Sequence, residues 1–216
     1  MDLALFDFDG TITVDPTYPA FVRFAVRPTR KLFGGIVLTP LILGYRMGLL
    51  SAGQMRKAIS RVAFWGEDSL RLRSLGADFA RDTVPVLLRP EALDRIEWHK
   101  KRGDRVVVVS AALDAYIQPW CEAAGIEAVC TQLEIRNDRL TGKYVNGDCC
   151  GSEKARRIRE RYRITDYSQI YSYGDTDEDR EMLEIATRKY FRWQEVTAVP
   201  PATRAVRRGD YRVSPH

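Results

Sequence analysis

The apolar run Leu3-Ala4-Leu5-Phe6 leads straight into Asp7-Phe8-Asp9-Gly10-Thr11, a pattern that predicts a short buried strand delivering carboxylates to its carboxyl end. From 17 to 88 no stretch reads as a convincing strand, and apolar positions recur at helical spacing. Ser51 is placed to cap a helix whose Met55, Ala58, Ile59, Val62 and Ala63 share a face, and Asp68 to start another carrying Leu72, Leu75 and Phe79. Both stripes predict core. After Pro90 helices and strands alternate. A helix over 91–102 stops at Gly103, a buried strand from Val106 to Val109 ends at Ser110-Ala111-Ala112, and a helix from Ala115 to Ala124 is closed by Gly125. A third strand spans Ile126 to Cys130, and Leu133 to Arg136 with Leu140 to Tyr144 flank Asn137-Asp138 as a hairpin. A helix over Ser152 to Tyr162 leads to a strand from Ile170 to Tyr173, and a last strand is expected around Tyr190 to Trp193. Such alternation predicts an α/β fold with a parallel sheet and right-handed crossovers, interrupted by a helical insertion.

Charge follows the same division. Residues 15–90 carry twelve Lys/Arg and five Asp/Glu, a net of +7, whereas 1–14 with 91–202 sum to −5 and the last fourteen residues add +3. We therefore divide the chain into a discontinuous core (1–14 and 89–202), a helical insertion (15–88) and a basic tail (203–216) expected to be flexible. With 216 residues, 45% of them hydrophobic, one sizeable core plus a smaller unit is affordable. Within the insertion, Leu32 to Tyr45 is a stretch of fourteen residues without a charge, flanked by Arg27, Arg30, Lys31 and Arg46. It is short for a transmembrane helix, and Pro40 with three glycines weakens that reading further; a buried helix pair and an interfacial membrane segment stay open.

Cys121, Cys130, Cys149 and Cys150 show no zinc-like spacing and no C-x-x-C pair, and nothing before the first strand resembles a signal peptide, so a reduced cytoplasmic setting is expected. The only histidines, His99 and His216, leave no room for a histidine triad or a His-rich metal site. Catalysis in this chain falls to carboxylates. Asp7 and Asp9 share one face of an ideal strand, and two carboxylates so close repel unless a cation lies between them. Ser110 stands at the end of the second strand, Asp175 and Asp179 beyond a later one, and Lys154 in the first turn of the preceding helix. Carboxylates are the oxygen ligands Mg²⁺ prefers, and a hydroxyl, an ammonium and free backbone N–H groups suit a phosphate. Taken singly, each group has a plainer reading: an Asx turn at Asp9-Gly10, a helix cap at Ser110, a solvated lysine at 154, first-turn acids at Asp177, Glu178 and Asp179.

In this order and at these spacings the set resembles the haloacid dehalogenase superfamily of hydrolases: Asp7-Phe8-Asp9-Gly10-Thr11, Ser110, Lys154 and Gly174-Asp175-Thr176-Asp177-Glu178-Asp179 match its four motifs. The resemblance implies a Rossmann-like parallel sheet flanked by helices, and the insertion is similar to the helical cap of the phosphoserine-phosphatase-like branch, subfamily IB. It further implies Asp7 as nucleophile and Asp9 as general acid and base. Thr11, Ser110, Ala111 and Lys154 would bind the phosphoryl group; Asp7, the Asp9 carbonyl and Asp175 would hold Mg²⁺, with Asp179 as a further ligand or a support. True dehalogenases of the superfamily lack the second aspartate, so its presence implies phosphoryl chemistry. A receiver-type signalling module also combines an acidic strand end, a Ser/Thr and a Lys, but has neither a large insertion nor Asp-x-Asp-Gly-Thr.

The expected activity is thus hydrolysis of a small anionic phosphate monoester. A lipid-phosphate phosphatase at a membrane surface, somewhat like the phosphatidylglycerophosphatase-C type, and a phosphoserine-type phosphatase are the alternatives. Where phosphoserine phosphatases carry an insertion glutamate for the substrate amine, this chain has Asp15-Pro16 or its neighbours, a poor match. The expected partner is a small-molecule phosphate ester, with an anionic membrane surface as the alternative, and nucleic acid is not expected.

Overall fold

The computed structural model describes residues 1–200, so the basic tail expected at 203–216 lies outside the described residues. Seven strands form one sheet in the order β4-β3-β2-β1-β5-β6-β7. Its centre is β1 (Leu3–Phe6), paired in parallel with β2 (Arg105–Leu113) on one side and β5 (Ile170–Gly174) on the other. The chain order reverses across β1, so the carboxyl ends of β1, β2 and β5 frame the crevice where open α/β sheets bind ligands. Strand alternation splits the apolar side chains between the faces. Leu3, Leu5, Val107 and Val109 pack with Ile158 of α7 (Ser152–Arg161) and Met182 of α8 (Arg180–Ile185). Ala4, Phe6, Val106 and Val108 face Ile96 of α5 (Pro90–Lys101), Tyr116 of α6 (Asp114–Ala124) and the insertion.

The insertion is helical, as its pattern predicts. It holds α1 (Thr17–Ala25), α2 (Pro28–Arg46), α3 (Ala52–Phe64) and α4 (Ser69–Asp82). Ser51 closes a capping box with Gln54 at the start of α3, and the Asp68 carboxylate accepts from the Arg71 N–H at the start of α4. The chain leaves and re-enters the sheet at one place: the Val14 N–H donates to the Leu87 carbonyl at 2.8 Å and the Arg89 N–H to the Ile12 carbonyl at 2.9 Å. The insertion has no core of its own. Phe21, Phe64, Leu72 and Phe79 belong to the same apolar cluster as Phe6, Phe8, Tyr116 and Trp120. At the closest crossing, a methyl group on Gly76 of α4 would stand 1.9 Å from the Ala115 carbonyl oxygen of α6.

Four expectations need correction. The third strand and the first hairpin strand are one element, β3 (Glu127–Arg136), parallel to β2 at its start and antiparallel to β4 (Arg139–Val145) at its end. Periodicity does not register a change of partner along a continuous strand. The hairpin turn itself is as expected, with Asn137 and Asp138 both at positive φ (48° and 60°). Second, β2 runs on to Leu113 through a register shift after Ser110, a bulge at the edge of the crevice. Third, β6 (Arg188–Phe191) stops before Trp193; Arg192 and Trp193 turn the chain back into β7 (Gln194–Val196). That reversal is held by tertiary bonds, the Arg192 N–H to the Gly174 carbonyl at 2.8 Å and the Trp193 indole N–H to the Thr11 carbonyl at 3.3 Å.

The fourth correction concerns Leu32 to Tyr45, which is not a buried helix pair. It lies within the single helix α2, whose only buried residue is Gly34. The helix packs on α3, where a Cβ at Gly34 would meet Val62 at 3.1 Å; Leu38, Leu41, Gly44 and Tyr45 are half-buried, and Leu32, Phe33, Ile36 and Val37 are exposed. Among the described residues no helix is long and apolar enough to cross a membrane.

Candidate active site

Asp7 follows the last residue of β1, and its N–H donates to the Tyr173 carbonyl of β5 at 2.9 Å, which keeps the backbone in sheet geometry as far as the first carboxylate. Asp175 follows the end of β5, and Asp179 sits in the short 3-10 turn Asp177–Asp179 just beyond. Ligand oxygens of Asp7, Asp175 and Asp179 lie within 4.8 Å of one another. Between them reaches the ammonium of Lys154, the third residue of α7, bonded to Asp7 Oδ1 at 2.5 Å and to Asp179 Oδ1 at 2.6 Å.

The electrostatics of this cluster are unbalanced. Burial, and then the neighbouring Asp179 charge, raise the Asp7 carboxyl well above the ordinary carboxylate range despite Lys154. The same two causes push Asp175 up to about 7. Burial alone would lower the Lys154 ammonium, but Asp179 and Asp7 outweigh it and raise it. Three carboxylates with one ammonium are what a divalent cation would neutralise, and their hard oxygens suit Mg²⁺. Asp7 and Asp175 fit the ligand role. Asp179 is more fully engaged, because its Oδ2 also accepts from the N–H groups of Asp175 and Thr176 and from the Thr176 hydroxyl at 3.0–3.1 Å. Its carboxylate ties the loop after β5 to Lys154.

Asp9 turns its side chain away from this cluster. Its carboxylate accepts from the N–H of Thr17 at 2.9 Å and from the Thr17 hydroxyl, at the first residue of α1, and the Thr17 hydroxyl in turn meets the Tyr116 hydroxyl at 2.9 Å. Burial raises the Asp9 carboxyl above its ordinary value, against the lowering effect of the Thr17 bonds. Thr11, expected at the phosphate, directs its hydroxyl to Asp175 Oδ1 at 3.2 Å and so orients a carboxylate of the cluster. The buried Ser110 accepts the Ala112 N–H at 3.0 Å on its Oγ, which leaves the hydroxyl proton for another acceptor; Ala111 is the half-buried residue of the bulge beside it.

Two further residues reach this region that periodicity gives no reason to single out. Arg56 of α3 crosses from the insertion to the sheet, donating to Asp148 at 3.0 Å and to both Glu178 oxygens at 2.9–3.0 Å. Burial would lower its guanidinium, but Asp148 and Glu178 raise it well above its usual value, so a charged group bridges the two parts of the molecule. Arg192 donates from Nε to the Asp175 carbonyl at 3.1 Å. A basic residue in a basic insertion carries no local mark, and the only sequence signal for Arg56 is that it borders the apolar stripe of α3, beside Ala63.

Known proteins share this fold. A solved structure of a Bordetella pertussis Tohama I protein of unknown function superposes with a TM-score of 0.77 at 24% identity, covering 88% of this chain and 89% of that one. A substrate-bound phosphoserine phosphatase does so at 0.61 with 19% identity, covering 88% and 85%. Both show the fold. In sequence, the chain is 32% identical over 192 residues to the protein CicA of Caulobacter vibrioides, covering 88% of this chain and 85% of the relative. It is 35% identical over 122 residues to a probable phosphatase of Mycobacterium tuberculosis, covering 55% of this chain and 42% of that one. The family model described as haloacid dehalogenase-like hydrolase matches residues 4–184, a span that includes every group in the cluster, and the chain belongs to that family.

Proposed function

We propose that this chain is a Mg²⁺-dependent phosphomonoester hydrolase that works through a phosphorylated Asp7. The observation that carries the reading is the meeting of Asp7, Asp175 and Asp179 around the Lys154 ammonium at the carboxyl edge of β1 and β5. Kinship with a probable phosphatase and with a phosphoserine phosphatase of Archaeoglobus fulgidus supports it. Mg²⁺, held by Asp7, Asp175 and the Asp9 carbonyl, would offset the charge of the phosphoryl oxygens that otherwise repel a carboxylate.

The remaining work belongs to the side chains. An Asp7 oxygen attacks phosphorus as the ester P–O bond breaks, and Asp9 gives its proton to the departing alkoxide. Burial suits Asp9 to this step, since it raises the carboxyl and so favours its protonated form, against the Thr17 bonds that favour the carboxylate. In the second half, the Asp9 carboxylate takes a proton from water while that water's oxygen attacks phosphorus. The Asp7–phosphorus bond breaks, phosphate leaves and the Asp7 carboxylate is restored. Lys154, the Ser110 hydroxyl and the backbone N–H of Ala111 are the donors for the phosphoryl oxygens.

A small anionic ester fits the insertion better than an amino-acid ester. From Pro16 to Gly66 there is no Asp or Glu, and Asp15 is exposed. Glu67 is already paired with Arg27, Arg30 and Arg71, so no spare carboxylate stands in that stretch for a substrate amine. Release of phosphate from an aryl phosphate with and without Mg²⁺ tests the reading. We expect turnover that needs the metal and is abolished in Asp7→Asn; turnover that survives chelation, or an Asp7→Asn variant near wild-type rate, overturns it.

A further inference from the structure

The solvent side of α2 is the apolar one. Leu32, Phe33 and Ile36 are each 69% exposed, Val37 59%, Leu43 58% and Met47 65%. At 3.6 residues per turn these six fall on one side of the helix. The less exposed positions Gly34, Leu38, Leu41 and Tyr45 recur on the opposite side, toward α3. A surface helix of a soluble domain reverses this arrangement, with water on the charged side. Contiguous exposed apolar surface of this kind marks a site of contact. Leu49, 73% exposed, follows in the loop after α2, and Trp65, 66% exposed, lies by its amino-terminal end, where the Trp65 carbonyl accepts from Arg30 at 2.5 Å.

Charge decides the occupant. Lys31 stands at one end of the apolar surface beside Arg27 and Arg30, which share the single carboxylate of Glu67, and Arg46 stands at the other end, in a stretch free of acidic residues from Pro16 to Gly66. Joining this face to a second copy of the chain would bring together two insertions that each carry a net charge of +7 over residues 15–90. An anionic bilayer reverses that sign: its headgroups meet the flanking cations while its acyl region takes Leu32, Phe33 and Ile36. We propose that α2 docks the protein flat on an anionic membrane surface. The helix is about 28 Å long at 1.5 Å per residue and lies in the interface without crossing it. This docking goes beyond the hydrolase reading and does not depend on it. It does bear on the site, because α2 packs on α3 and α3 sends Arg56 to Asp148 and Glu178 beside the carboxylate cluster.

The test is co-sedimentation of the full chain with vesicles of phosphatidylcholine alone and of phosphatidylcholine with increasing phosphatidylglycerol, at low and high salt. Binding should rise with the anionic fraction, fall with salt, and drop by about tenfold or more in Phe33→Ser/Ile36→Ser, two exposed positions whose loss leaves the melting temperature unchanged. The same variant should hydrolyse a soluble aryl phosphate as wild type does, so a failure of docking is read separately from a failure of catalysis. Three results overturn the proposal: no binding to anionic vesicles at low salt, equal binding by the double variant, or a lipid-free dimer that this variant dissociates.

Discussion

A methyl group on Gly10 would stand 2.4 Å from Asp175 Oδ2, inside any permitted contact, and Gly10 itself holds a φ of +87° that side chains rarely adopt. The turn after Asp9 therefore leaves a gap that the Asp175 carboxylate fills. Gly10→Ala should displace Asp175 and abolish Mg²⁺-dependent turnover. Its stability cost, of the order of 1–3 kcal/mol, leaves a folded protein. Calorimetry with and without Mg²⁺ checks this: the wild type should melt higher with the metal, and the variant should not respond.

Lys154 is fully enclosed between Asp7 and Asp179, so removing its charge leaves two buried carboxylates facing each other. Lys154→Met should lose about 3–5 kcal/mol in urea unfolding, part of it recovered by Mg²⁺. Kinetics separate this residue from Asp9. Asp9→Asn should slow an alkyl phosphate by about 10²–10⁴-fold and an activated aryl phosphate much less, because a good leaving group does not need the proton. Lys154→Met should slow both by similar factors, and equal leaving-group sensitivity in the two variants would contradict the assigned roles.

Asp114, the first residue of α6, gives the pH dependence a defined sign. Burial raises its carboxyl to about 6 from 3.8, although the backbone N–H groups of Leu133 and Ala115 pull it down. A folded-state value above the unfolded one means the stabilising contribution is present below pH 4 and is lost as pH rises through about 6. Asp114→Asn should accordingly match the wild type near pH 4 and exceed it by up to about 3 kcal/mol near pH 8. Melting curves of both proteins across that range make the comparison.

Gly76→Ala tests the crossing of α4 and α6. The obstacle to a Cβ is the Ala115 carbonyl, oxygen at 1.9 Å and carbon at 2.5 Å, and backbone cannot swing aside as a side chain could. The helices must part, at a cost of roughly 3 kcal/mol or more in chemical denaturation. A neutral effect would mean that the crossing relaxes freely.

What the sequence makes legible is what is decided locally. Ser51 and Asp68 cap their helices, Gly125 ends α6 at a φ of +66°, and Asn137-Asp138 turn the hairpin, each by a short-range rule. Asp7, Lys154, Asp175 and Asp179 are also readable, since each stands just past a strand or at a helix start and the sheet order brings those ends together. Long-range decisions leave no such trace. The turn at Arg192-Trp193 depends on carbonyls of Gly174 and Thr11 far away in sequence, and Arg56 is distinguished only by Asp148 and Glu178. The exposed side of α2 is a further case, because an apolar stretch does not reveal whether a neighbour will cover it.

The apolar cluster that joins Phe6 and Phe8 through Tyr116 to Phe21 and Phe79 bears on how the molecule comes apart. Heat or denaturant cannot melt α1 and α4 while the sheet stays intact, since doing so would strip the side of α6 that carries Tyr116. Unfolding of these helices and the sheet is one cooperative event, and calorimetric and van't Hoff enthalpies should coincide. Hinging of the insertion as an independent body would have to open this shared cluster as well as the Arg56 bridge to Asp148 and Glu178.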